Sequence, residues 1–271
     1  MKTFIQFLNE SGIEYERKVR WTMAKSSASF DSIIVKRSKG KGAFSAHDVD
    51  VSLQANGQLY DIEIKKNTKA QMGGISVNYT NGKFDIKKSD SFDDETIKLL
   101  MTSIKSKNND LDKVIDFFRK NDPVFKHNAN VGFPLRVSTQ AWDEAIKLGH
   151  IKTLNNSIKQ SSNFINMFYK SKGIDYIQIG GSGLFYMNDN PLGLNIPKLK
   201  GEINVEFRAG KSGVKYNKQH DYEYSTVVLR LQGRLQFKGL SNYSLDNEKQ
   251  TKELYHHISK TLNKDLTSIS M

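Results

Sequence analysis

The chain contains no cysteine. Disulfides, thiol nucleophiles and Cys-rich zinc sites are therefore excluded, and the absence fits an intracellular, cytoplasmic protein. No apolar run is long enough to span a bilayer, so no membrane partner is expected. The opening MKTFIQFLNESG has one Lys and a short, mostly apolar stretch before it turns polar, which makes a poor secretory signal. The 6 histidines form no HExxH and no zinc-type spacing. Gly210-Lys211-Ser212 lacks the earlier glycine of a phosphate-binding loop, because position 205 is Val. Gly180-Gly181-Ser182-Gly183 lies between two strand-like runs and reads as a hairpin turn, not a dinucleotide fingerprint.

What is present is a globular composition in 271 residues, 37% hydrophobic and 26% charged, with ample material for a core. Lys and Arg number 41 against 29 Asp and Glu, for a net charge of +12. Such a surplus points to a polyanionic partner, most often nucleic acid. A Lys/Asn-rich, AT-biased genome would produce the same surplus without any partner.

Apolar spacing predicts a helix over 3–25, interrupted at Gly12, with Trp21 on a core face. FDSIIVK is strand-like, and KRSKGKG after it is a Gly/Lys loop. Two strand pairs follow, each turning on Asn-Gly, at Asn56-Gly57 and Asn81-Gly82. Helices are predicted in DDETIKLLMTSIK and DLDKVIDFFRKN, with a break at Asp122-Pro123. STQAWDEAIKLGH is a capped helix carrying Trp142 towards the core, and LNNSIKQSSNFINMFYKSKG a polar helical stretch. The last third is strand-rich (IDYIQI, GLFYMND, EINVEFRA, STVVLRLQGRLQFKG), and NEKQTKELYHHISKTL is a closing amphipathic helix. The mixture implies an α/β fold with a mixed central β-sheet flanked by helices.

AHDVDVSLQANGQLYDIEIKKN is the informative stretch. A two-residue turn at Asn56-Gly57 pairs Ala55 with Gln58, Leu53 with Tyr60, Val51 with Ile62 and Val49 with Ile64, an apolar phase. The other phase pairs Ser52 with Asp61, Asp50 with Glu63 and Asp48 with Lys65. Asp50 opposite Glu63 is unfavourable by a few tenths of a kcal/mol or more, roughly the size of one cross-strand pair. A divalent cation would reverse that sign. An ordinary wet face, with Asp48 and Lys65 as a weak surface pair, is the other reading of the same residues.

Asp50 followed by Glu63-Ile64-Lys65 on the facing strand resembles the D…(D/E)xK signature of the restriction-endonuclease-like, or PD-(D/E)XK, nucleases. His47 and Asp48 stand where many members have Pro. Glu16, with Glu14 as the alternative, matches an acidic residue often found on the preceding helix, and Gln71 a Gln often found after the motif lysine. The resemblance spans about residues 10–75. It implies a restriction-endonuclease-like core over 1–120. Residues 121–271 would be a helical, then strand-rich part that completes the fold and contacts DNA, whether or not the two form one domain.

The resemblance further implies a Mg²⁺-dependent DNA endonuclease, with Mn²⁺ able to substitute. Asp50, Glu63 and the Ile64 carbonyl would hold the metal, with Asp48 or Glu16 completing the shell. Lys65 would orient or deprotonate the attacking water, and Gln71 would position the water or a phosphate. Lys36, Arg37, Lys39, Lys41 and, after the motif, Lys66 are the candidate phosphate contacts. A homodimer would suit duplex cutting, and phage or mobile-element cutting is among the open roles. The competing class is a non-catalytic basic nucleic-acid-binding protein. A glycosidase would also use two acids, but the paired lysine and the basic surface argue against it.

Overall fold

The computed structural model describes residues 12–37, 50–86, 94–154, 156–160, 169 and 173–268. It is mixed α/β, with two mostly antiparallel sheets and flanking helices in place of the single central sheet expected. Two compact units are interleaved along the chain: 1–70, 161–203 and 235–271 form one, and 71–160 with 204–234 the other. The expected core of 1–120 is thus divided between them.

In the first unit, α1 (Gly12–Ser27) leads to β1 (Ile33–Arg37), β2 (Val51–Ala55) and β3 (Gln58–Lys65). Asn56 and Gly57 both have positive φ, 49° and 76°, the conformation that a two-residue hairpin turn requires. The register is the one expected, with Ala55 opposite Gln58, Leu53 opposite Tyr60, Ser52 opposite Asp61 and Val51 opposite Ile62. β9 (Tyr176–Ile179) then lies parallel to β3, with Ile62 beside Tyr176 and Ile64 beside Gln178. It turns back into β10 (Gly183–Tyr186), so the sheet order is β1-β2-β3-β9-β10.

One face of this sheet is dry. Val51, Leu53, Ala55, Tyr60, Ile62 and Ile64 are buried against Tyr15, Val19 and Met23 of α1. Leu254, Tyr255 and Ile258 of α6 (Glu248–Ser268) join the same core. Burial of such side chains contributes about 1.5–3 kcal/mol each. The Asn247 carboxamide oxygen caps α6 by accepting from Gln250 N at 3.2 Å.

Gln178 is the one polar residue of buried β9, and its amide is fully used. Its nitrogen donates to the Tyr15 hydroxyl (3.1 Å) and Ser244 Oγ (2.9 Å), and its oxygen accepts from Leu245 N (2.9 Å). The Tyr15 hydroxyl in turn donates to Asp246 at 3.2 Å. Buried polar groups must be satisfied, and here that requirement ties β9 to α1 and to the lead-in of α6.

The second unit holds β4 (Gln71–Thr80), β5 (Lys83–Ile86), α2 (Asp94–Ile104) and α3 (Asn108–Asn121). It continues through β6 (Gly132–Phe133), β7 (Leu135–Val137), α4 (Thr139–Lys147), α5 (His150–Leu154) and β8 (Asn156–Gln160). β11 (Glu202–Lys211), β12 (Lys215–Asn217) and β13 (Tyr222–Gln236) complete its sheet, whose main order is β5-β4-β13-β11-β8. From Ser225 onward β13 alternates buried and half-buried positions, the period-2 signature of a strand with one face in the core. Asn81 and Gly82 again have positive φ. Ser138 Oγ caps α4 by accepting from Ala141 N at 3.1 Å. Asp122, buried where α3 ends, accepts from Val124 N and Ser138 N.

Two expectations are corrected. Residues 156–160, expected to be helical, form β8 beside β11, because a free sheet edge outweighs the weak helical period of a polar stretch. Trp21 is 63% exposed rather than core, whereas Trp142 is 5% exposed as expected. The expected helix begins at Gly12 among the described residues, and the residues before it lie outside them. No helix among the described residues is long and apolar enough to cross a membrane.

Candidate active site

The polar phase of the hairpin is not a wet face. β3 lies between β2 and β9, and Glu63 is only 5% exposed. Lys65 Nζ stands 2.5 Å from Glu63 Oε1, with just 14% of its side chain exposed. The pairing of Lys65 with Asp48 expected from the register is outside the description, since Asp48 lies outside the described residues, as do Lys39 and Lys41. At the far end of this phase, Ser52 Oγ donates to Asp61 at 2.6 Å, and Asp61 N donates to Asp175 at 3.0 Å.

Asp50 immediately precedes β2, and the register continues it to a place opposite Glu63. Its Oδ2 accepts from Ile64 N at 2.6 Å. Within a strand the N–H and C=O of one residue point to the same edge, so the Ile64 carbonyl also faces the edge where Asp50 sits. Lys65 O, one residue on, points the other way and accepts from Gly180 N at 2.8 Å. A Cβ on Gly180 would lie 2.0 Å from Lys66 O, so only glycine lets β9 approach β3 this closely beyond the lysine.

Burial pushes the Asp50 carboxyl up to about 7, with the Glu63 charge adding to the effect. Lys65 and the Ile64 N–H oppose that rise without cancelling it. Burial acts to lower the Lys65 ammonium, but Glu63, Asp50 and Glu16 together outweigh it and hold the pKa above its ordinary value. Lys65 is therefore a fixed cation at neutral pH. Burial also raises Glu16, against the pull of Arg20 and Lys65, so the α1 carboxylate senses the hairpin charges. Arg20 lies 3.9 Å from it.

The structure thus brings Glu16, Asp50, Glu63 and Lys65 within electrostatic reach of one another. Gln71 begins β4 in the other unit, and its side chain is outside the described residues. Lys36 is exposed on β1 and Lys66 half-buried after β3, while the side chain of Arg37 is not among those described. Sequence reasoning missed Tyr169, which is fully buried and whose hydroxyl is raised first by burial and then by Glu63 and Asp50. No motif surrounds it, so only the fold could find it. Gln178 did carry a signal, as a lone polar residue in an apolar strand.

Among the described residues, no three His, Asp or Glu side chains group closely enough to form a metal cluster by themselves. The uncommitted donors on this stretch of the hairpin are oxygens. Asp50 commits Oδ2 to Ile64 N, and Glu63 commits Oε1 to Lys65. Asp50 Oδ1, Glu63 Oε2 and the Ile64 carbonyl are the atoms a cation would take. Two carboxylates and a carbonyl, with water filling the rest, fit Mg²⁺ rather than a soft metal. No family model, curated protein or solved structure matches this chain.

Proposed function

We propose that the protein is a Mg²⁺-dependent DNA endonuclease whose first unit is a restriction-endonuclease-like core. The observation that carries the reading is the opposed pair Asp50 and Glu63, buried with Lys65 and with one carboxyl raised to about 7. Two like charges held together away from water are costly. A fold retains such a pair where a cation is part of its function.

Asp50, Glu63 and the Ile64 carbonyl would hold Mg²⁺, which when bound lowers the pKa of water and polarises a phosphate. Lys65, charged at neutral pH, donates hydrogen bonds to the attacking water and to the non-bridging phosphate oxygens as negative charge gathers on them. Glu63, Asp50 and Glu16 hold its ammonium protonated in the metal-free protein, which suits it to orient the water and stabilise the developing charge. Glu63 fixes the lysine's direction through the 2.5 Å contact. Glu16, held near by α1, is the third carboxylate at the rim. The phosphodiester bond breaks as water adds to phosphorus and gives up a proton to solvent, and the 3′ or 5′ oxygen leaves with a proton from a solvent water.

The test is cleavage of supercoiled plasmid, single-stranded DNA and branched DNA in Mg²⁺, Mn²⁺ or EDTA, comparing wild type with Lys65→Ala and Asp50→Asn. Metal-dependent cutting that both substitutions abolish supports the reading. Salt-sensitive DNA binding, equal in all three proteins and without cutting of any substrate, would replace it with that of a basic binding module.

A further inference from the structure

Trp21 sits in the middle of α1, off the Tyr15–Val19–Met23 stripe, and presents most of its ring to solvent. Single exposed aliphatic residues need no explanation, but a tryptophan flanked by cations one turn away on each side does. Lys25 Nζ lies over the ring, 5.1 Å from its centroid. Arg17, one turn earlier, is exposed and makes none of the ion pairs found among the described residues. Arg20 pairs with Glu16 at 3.9 Å, longer than a hydrogen bond, and has no closer acceptor among the described residues.

Arg17, Arg20, Trp21, Ala24, Val35 and Val51 line a single groove of about 370 Å³. Its floor includes Val51, which belongs to the apolar phase of the hairpin, one residue from Asp50 but on the opposite face of the strand. The helix wall leads to the carboxylates through Glu16, which precedes Arg17 and whose carboxyl feels the charges of Lys65 and Glu63. Five residues of helix separate Glu16 from Trp21, about 7.5 Å along the axis at 1.5 Å per residue. That is roughly two base rises of 3.4 Å.

We propose that this groove seats an unpaired nucleotide next to the scissile phosphate, with Trp21 stacked on the base and Arg17 and Arg20 holding the flanking phosphates. The substrate class is then DNA with single-stranded character, such as a single strand, flap or branch, rather than uniform duplex. An aromatic ring lying on a helix can stack only on a base whose face is open, and duplex DNA offers base edges and phosphates instead. The neighbouring guanidinium groups match the polyanion in charge, as the overall net charge of +12 does. The role of the groove in cutting rests on the nuclease reading above; its role in binding does not.

The experiment is intrinsic fluorescence in EDTA, where no metal-dependent cutting occurs, titrating a 15-nucleotide oligo(dT) or a duplex of equal length. Trp142→Phe leaves Trp21 as the only tryptophan, since the chain has 2. Oligo(dT) should quench its emission to saturation, and Trp21→Ala should weaken oligo(dT) binding by roughly 5- to 100-fold. Duplex affinity should change less than about twofold, and Trp21→Phe should keep most of the binding, since the ring still stacks. Arg17→Ala should reduce the logarithmic salt slope by about 0.7. In the wild type, oligo(dT) should shield the exposed tryptophan from acrylamide, a readout that needs no variant.

Unchanged emission and acrylamide access at saturating oligo(dT) would overturn the proposal. So would equal losses for single strand and duplex, or a Trp21→Ala protein altered in oligomeric state but not in affinity. Quenching is read in EDTA and cutting in Mg²⁺ on the same wild-type protein, so a failure of cutting and a failure of stacking are separately visible.

Discussion

Replacing Asp50 with asparagine should stabilise the metal-free protein at pH 8. Each pKa unit corresponds to about 1.4 kcal/mol. Lifting this carboxyl from 3.8 to about 7 therefore makes its ionised form about 4 kcal/mol less favourable in the fold than in the unfolded chain. Asparagine has the same shape and can still accept the Ile64 N–H through its amide oxygen, so the 2.6 Å hydrogen bond has a successor. The charge facing Glu63 is gone. A gain of about 2–4 kcal/mol is expected, which raises Tm by about 5–10 °C in a chain of this size.

The sign follows from the direction of the shift. An acid whose folded pKa is raised binds its proton more tightly in the fold. Its contribution is complete below the unfolded value of 3.8 and is lost as pH rises through about 7. The wild type in EDTA should thus lose stability between pH 5 and pH 8, while Asp50→Asn should not show that loss. Thermal melts at the two pH values read the difference: a small gap at pH 5, opening at pH 8. Adding Mg²⁺ at 100 times its Kd should restore about 2.7 kcal/mol to the wild type and little to the variant. A variant that melts below the wild type at pH 8 in EDTA, or a gap unchanged between the two pH values, would refute the reasoning.

Lys65→Ala removes the cation against which Glu63 is buried, and should cost about 3–5 kcal/mol in denaturant unfolding at pH 8. The double variant Glu63→Gln/Lys65→Met should recover most of that loss while leaving cleavage abolished. The Mg²⁺ concentration for half-maximal cleavage should rise about fivefold as pH falls from 7 to 6, because Asp50, raised to about 7, must lose its proton to bind the ion; a flat dependence would exclude Asp50 as a ligand. Gly180→Ala should destabilise by about 1–3 kcal/mol or more, since its Cβ meets Lys66 O and pushes β9 from β3. Cleavage should fall with it, and wild-type stability in that variant would contradict the close approach.

The hairpin was legible because everything that specifies it is local. Asn-Gly supplies the positive φ pair, and the alternation from Val51 to Ile64 sets both phase and register. Opposition of Asp50 to Glu63 followed from that register alone. The burial of the polar phase was not legible, since it depends on β9, more than a hundred residues later, lying parallel to β3. Trp21 was misplaced because hydrophobicity was weighed above period: Val19 and Met23 face the core, and a residue midway between them faces away. The buried polar positions Thr22 and Ser26 occupy the inward row that Trp21 does not. β8 escaped detection because a sheet edge elsewhere in the chain decides its state. Tyr169 escaped for the same reason, its surroundings being made by distant residues.

The interleaving of the two units has a consequence for how the protein is made. Chain synthesis delivers Asp50, Glu63 and Lys65 early, yet the strand beside them arrives only at Tyr176–Ile179. The helix that completes their core begins at Glu248, and the Tyr15–Asp246 hydrogen bond waits for residue 246. Between these events the ribosome must produce nearly all of the second unit. A nascent chain stalled before residue 246 therefore lacks the Tyr15–Asp246 hydrogen bond and the α6 side chains of the first unit's core. The first unit is thus the last to be completed, although its hairpin is among the first parts made.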